Sequence, residues 1–188
     1  MSNRSHPSRS ETLRDGSSDR SATSWGARRS PHASSSLCLH AEAFWRERGV
    51  HRQVVIRVGI DGLSCLGSAV PPSNLVDISL GLVAEGVTIL VDGVLSAEWE
   101  GTCRRCLIEI GGLLTVPVHE MYRQDADDGL VYPITGGIID LEPLVRDMLL
   151  TSLPLAPLCA EGCKGLCPGC GADLNHEDCA CGLASARR

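Results

Sequence analysis

Eight cysteines of this 188-residue chain stand at ligand spacing: Cys103 and Cys106, Cys159 and Cys163, Cys167 and Cys170, Cys179 and Cys181. Thiolates two to four residues apart, interrupted by glycines that permit tight turns, are what a tetrahedral soft-metal site asks of a chain, and Zn2+ is the ion that fits. Cys167-Pro-Gly-Cys170-Gly reads as a knuckle in which both sulfurs reach one ion and backbone N–H groups face them. Cys179-Ala-Cys181 needs a tight turn to bring two sulfurs together, because alternate residues of an extended chain share a face only at a distance. Cys159 and Cys163 suit one helical turn.

Eight sulfurs make two four-sulfur sites. The preferred pairing places Cys167, Cys170, Cys179 and Cys181 on a local ion. Cys103, Cys106, Cys159 and Cys163 then hold a second ion that ties the tail to the body. A competing pairing joins Cys103 and Cys106 to Cys167 and Cys170 on one ion, as a zinc ribbon does, and spacing alone does not choose between them. Arg104, Arg105 and Lys164 stand beside the cysteines, either to offset thiolate charge or as solvated surface residues. His176 is a substitute ligand, and Cys38 and Cys65, without neighbours at ligand spacing, belong to no site.

All-sulfur zinc is structural in most settings, whereas catalytic zinc keeps an open position. The zinc deaminase pattern fails here, since His119 and Glu120 are adjacent and Pro168 follows its cysteine. A thiol-disulfide role for Cys103 and Cys106 lacks the usual helix N-terminus, although the flanking arginines favour a thiolate, so a redox sensor stands as the alternative function. No phosphate loop and no set of nucleophile, base and acid is present, and a non-enzymatic protein is expected.

The elements that carry these cysteines read as α+β. Residues 53–58, 75–83, 87–91, 94–100 and 107–119 have strand character, with Asp92-Gly93 expected as a hairpin turn and Cys103-Arg-Arg-Cys106 at a strand-to-strand turn. The expected architecture is an antiparallel β-sheet or open barrel. After an acidic loop over 125–133, Asp140 caps a helix whose apolar residues Leu141, Leu144, Val145, Met148 and Leu149 fall on one face, ended by Pro154. A short helix is expected within 37–49. The organisation is then a disordered Ser/Arg-rich arm over 1–36, a body over 50–154 and a Cys-rich tail over 155–188 that packs on the body.

The net charge of -6 conceals a basic front and an acidic body, for beyond Val58 the bases are few. An acidic body is a poor wrapper of polyanions, so RNA contact falls to the arm or the Arg104/Arg105 turn, and the body suits a basic protein partner. No apolar run spans a membrane and no secretory signal is seen, which sets a cytoplasmic expectation, and a reducing compartment favours metal over disulfides.

The ordered run Ala84-Glu-Gly-Val87, Trp99-Glu-Gly-Thr-Cys-Arg-Arg-Cys-Leu107, Ile139-Asp-Leu141, Leu153-Pro154 and Cys163-Lys-Gly-Leu-Cys-Pro-Gly-Cys-Gly-Ala-Asp-Leu-Asn175 resembles the YceD family, also called DUF177, over residues 50–181. The resemblance implies a factor for 23S ribosomal RNA accumulation and large-subunit biogenesis, with a large-subunit ribosomal protein or assembly factor as partner. It carries over the eight cysteines as family positions and no catalytic residue.

Overall fold

The computed structural model describes residues 37–124, 126, 129–179 and 181. The arm expected over 1–36 lies outside the described residues. In chain order the elements are β1 (Cys38–His40), α1 (Ala41–Arg46), β2 (Arg52–Val58), β3 (Leu63–Cys65) and β4 (Ser68–Val70). There follow β5 (Val76–Glu85), β6 (Thr88–Thr102), β7 (Glu109–Gln124), β8 (Tyr132–Thr135), β9 (Ile138–Asp140) and α2 (Leu141–Ser152).

These strands form one nine-stranded sheet curled into a half-barrel, in the order β1-β9-β8-β7-β6-β4-β3, with β5 and β2 branching from β6. The sheet is mixed, which corrects the antiparallel expectation: β8 runs parallel to β7, Tyr122 opposite Tyr132. The rings of that pair stack at 5.2 Å.

Its centre is the β6–β7 hairpin, whose register runs from Thr88 opposite Arg123 to Thr102 opposite Glu109. Asp92-Gly93 is therefore no turn but the interior of a 15-residue strand. The true turn lies upstream, where Glu85 pairs with Thr88 across Gly86-Val87, with glycine at the first loop position. The burial pattern explains the difference. A two-residue turn at 92–93 would put Val91 and Val94 on one face, yet Ile89, Val91, Leu95 and Ala97 are the buried set, a period of two that passes through Gly93 unbroken. Gly93 is there because β5 passes close: a Cβ would stand 2.1 Å from the Ser79 carbonyl oxygen.

Against this sheet lies α2. Leu141, Leu144, Val145 and Leu149 are buried in the same core as Leu80, Leu82, Leu95 and Val118, and Met148 is half-buried. Asp140 caps the helix as expected, its carboxylate accepting from Glu142 N–H at 3.0 Å. The helix stops where Leu153 N–H donates to Leu149 O and Pro154 follows. Ser68, buried on β4, donates to Pro154 O at 2.6 Å, which directs the chain leaving α2 toward the tip of the β6–β7 hairpin. Upstream, the short helix expected within 37–49 is α1 over Ala41–Arg46, which begins where residues 38–40 end their pairing with β9.

Candidate metal centre

The hairpin tip folds into a knuckle by local bonds. Cys103 N–H donates to Ile108 O and Leu107 N–H to Cys103 O, both at 2.9 Å. The tail docks on that knuckle through its backbone: Arg104 N–H donates to Pro157 O, Leu166 N–H to Arg105 O, and the Arg105 guanidinium to Cys163 O at 2.7 Å. Gly165 makes the fit possible. It sits at φ +78, and a Cβ there would be 2.8 Å from Arg105 O.

Docking brings Cys103, Cys106, Cys159 and Cys163 together, their sulfurs all within 4.8 Å of one another. Cys103 and Cys163 approach to 3.8 Å and Cys106 and Cys159 to 3.5 Å. Four sulfurs each about 2.3 Å from a tetrahedral Zn2+ stand about 3.8 Å apart, so this donor set and spacing fit the ion. Cys103, Cys106 and Cys163 are buried, Cys159 is exposed, and Ile110, Leu158 and Leu166 form an apolar wall around them. Asn175 donates its side-chain amide to Cys163 Sγ at 3.5 Å and accepts from Lys164 N–H at 2.8 Å.

Cys167, Cys170, Cys179 and Cys181 form the second group, again within 4.8 Å. Cys167 to Cys181 and Cys170 to Cys179 are each 3.4 Å, and Cys179 to Cys181 is 2.7 Å. Backbone N–H groups face these sulfurs: Gly169 donates to Cys167 Sγ and Cys181 to Cys179 Sγ. The latter bond is the tight turn that Cys179-Ala-Cys181 requires. This group is more open, with Cys170 and Cys181 exposed.

In each group the sulfurs divide their titration unevenly. The Cys103 thiol falls to about 6, chiefly because the Cys106 backbone N–H points at it, and Cys167 falls to about 6 through the Cys179 thiol and the Gly169 N–H. Cys159 is pushed up to about 12 by Cys106 and then Cys163, and Cys179 to about 12 by Cys181. Cys106 also rises: the Ile108 N–H favours its thiolate, but burial and the Cys103 and Cys163 sulfurs outweigh it. Cys103 and Cys167 thus favour the thiolate while Cys106, Cys159 and Cys179 resist a further negative charge, a repulsion that a bound dication would relieve.

The eight cysteines thus fall into the two groups of the preferred pairing, and Cys103 and Cys106 meet Cys159 and Cys163 instead of the Cys167/Cys170 knuckle. His176 lies 3.8 Å from Asp173, outside both groups, and Cys38 and Cys65 sit on β1 and β3. Of the flanking bases, Arg105 serves as a backbone clamp. Asn175 escaped the sequence reading, although its place just after the knuckle, with Asp173 accepting from its own N–H at 2.9 Å, is a turn signal.

An uncharacterized protein of Mycobacterium tuberculosis is 30% identical over 116 residues, covering 58% of this chain and 56% of its own length. An uncharacterized protein of Mycobacterium leprae is 32% identical over 109 residues, 53% of this chain and 50% of the relative. The chain spans about half the length of these curated relatives. The chloroplastic large ribosomal RNA subunit accumulation protein YCED homolog 1 of Zea mays is 41% identical over 58 residues, 30% of this chain and 20% of the relative. No solved structure matches. Residues 91–186, a stretch that holds the hairpin tip and all eight clustered cysteines, match the family described as large ribosomal RNA subunit accumulation protein YceD, and the chain belongs to that family.

Proposed function

We propose that this chain is a non-enzymatic, zinc-binding cytoplasmic factor that supports 23S rRNA accumulation and large ribosomal subunit biogenesis. It docks on a large-subunit ribosomal protein or an assembly factor. The observation that carries this reading is the family match over 91–186, the part of the chain that builds both sulfur groups. Four thiolates complete a tetrahedral ion, so either group would hold zinc as a structural clip. Cys103, Cys106, Cys159 and Cys163 would clasp the tail to the sheet, and Cys167, Cys170, Cys179 and Cys181 would order the tail itself. Direct 23S rRNA contact is left to the arm over 1–36 and to Arg104, since Arg105 is engaged with Cys163 O.

Depletion of the protein in its host tests this. The expected result is a fall in 23S relative to 16S rRNA and a deficit of large subunits, restored by the wild-type gene, while the native protein carries two zinc ions. Unchanged 23S rRNA on full depletion would refute the reading. The alternative of a thiol redox sensor using Cys103 and Cys106 is disfavoured by burial, since the two are 0% and 5% exposed and sensor thiols need access.

A further inference from the structure

Among the described residues, strand β7 leaves one edge open for most of its length. Residues 109–121 pair with β6, and β8 takes the other edge only at Tyr122, Arg123 and Gln124. Cys103 N–H donates to Ile108 O across the tip, so in the alternating antiparallel pattern the even-numbered residues of β7 exchange bonds with β6. Glu109, Gly111, Leu113 and Thr115 therefore turn N–H and C=O outward. Pro117, which has no N–H, falls in the same outward set, where it breaks no bond to β6. Among the described residues, no backbone hydrogen bond outside the β6 and β8 ladders reaches residues 109–121.

Such a row of unpaired groups is a template for a further strand unless it is blunted by proline, lysine or a bulge. Residues 109–115 carry none of these, and Gly111, Gly112, Leu113 and Thr115 are exposed. Side-chain chemistry selects the occupant. Glu98, Glu100 and Glu109 share the outer face of the hairpin, and among the described residues none has a cation at ion-pair distance. On the same face Leu113 is 69% exposed. On the opposite face the half-buried Trp99 indole lies beside Gly112, its Nε1 3.4 Å from where a Cβ would stand.

We propose that residues 109–115 of β7 are a docking edge for an extended, basic segment of a protein partner, added to the sheet as a strand. Main-chain bonds to Glu109, Gly111, Leu113 and Thr115 supply affinity, as in other strand-addition complexes. Specificity comes from a lysine or arginine opposite Glu109 and an apolar side chain opposite Leu113, four residues along on the same face of the added strand. A second copy of the chain is a poor occupant, because it brings the same three unpaired carboxylates. That the segment belongs to a large-subunit protein rests on the function proposed above; the edge itself does not.

Amide hydrogen exchange of the full-length, zinc-loaded protein tests the proposal with two probes. One is a designed extended peptide with arginine and valine four residues apart on one face; the other is a set of tiles covering the host's large-subunit ribosomal proteins. A binding tile should slow exchange at Gly111, Leu113 and Thr115. Leu113→Pro, which removes one outward N–H and no bond to β6, should weaken binding about tenfold, and Glu109→Lys, which leaves the backbone intact, should weaken it by a similar factor. Protection by the designed peptide but by no tile supports the edge and counts against the proposed partner class. Peptide binding unaltered by both substitutions overturns strand addition, as does failure of both probes to protect the edge. Protection already present in a free protein that sediments as a dimer overturns the choice of occupant.

Discussion

Replacing Cys159 by alanine isolates what the first sulfur group does for stability. Cys159 is exposed, so the substitution opens no cavity, and any loss reports the missing ligand. Its sulfur meets Cys106 from 53 residues away. Treated as an equivalent cross-link, closing a loop of that length in the unfolded chain is worth about 4 kcal/mol. In the second group Cys170 and Cys179 are 9 residues apart, which gives about 2.5 kcal/mol on the same basis. For a body of this size each kcal/mol moves Tm by about 2–4 °C, so Cys159→Ala should unfold roughly 10 °C below wild type and carry one zinc ion fewer. The assays are thermal unfolding by circular dichroism and metal analysis of the same preparation. Cys170→Ala is the control, with a smaller shift and the loss of the other ion. A Cys159→Ala protein that melts with wild type, or a Cys170→Ala protein that melts lower than Cys159→Ala, would refute the assignment of the first group as the long-range clasp.

Two further outcomes follow from the geometry. Gly93→Ala forces a Cβ to within 2.1 Å of Ser79 O, so β5 and β6 must part; chemical denaturation should show about 1–3 kcal/mol of lost stability with zinc content unchanged. Mild oxidant should attack the second group first, because Cys170 and Cys181 are exposed whereas Cys103 and Cys106 are buried. Peptide mass mapping of the time course checks this, and a Cys103–Cys106 disulfide as the earliest product would revive the redox sensor.

Much of this was legible locally. The 141–152 helix was readable because its cap, its apolar face and its terminating proline all lie within the segment. The eight cysteines were readable by type and spacing. Which sulfurs meet was not, because that depends on the route of the chain out of α2, set by the Ser68 bond to Pro154 and the Arg105 clamp on Cys163, contacts across 86 and 58 residues. Strand β6 was misread because Asp-Gly is a strong turn signal and outranked the unbroken parity of Ile89, Val91, Leu95 and Ala97. Strands β1, β8 and β9 have three or four residues, too few for a period, and exist through their partners alone.

The hairpin and the clasp depend on each other, which fixes where the loss in Cys159→Ala must begin. Beside β6, β5 supports the hairpin as far as Ser96, and β4 touches only Glu100 and Gly101. Beside β7, on the edge away from β6, the described residues place no strand between Glu109 and Met121. The last turn of the ribbon is thus nearly two-stranded, a form only marginally stable in water. Its compensation is the tail, whose Leu158 and Leu166 pack with Ile110 around the buried cysteines and whose Cys159 and Cys163 meet Cys103 and Cys106. Removing one ligand should therefore raise amide exchange first at Thr102 and Ile110, while Ile89 and Val91, held between β5 and β7, stay protected to the global unfolding limit. Uniform acceleration across β6 would mean that the clasp stabilises the sheet as a whole and that the hairpin tip needs no separate support.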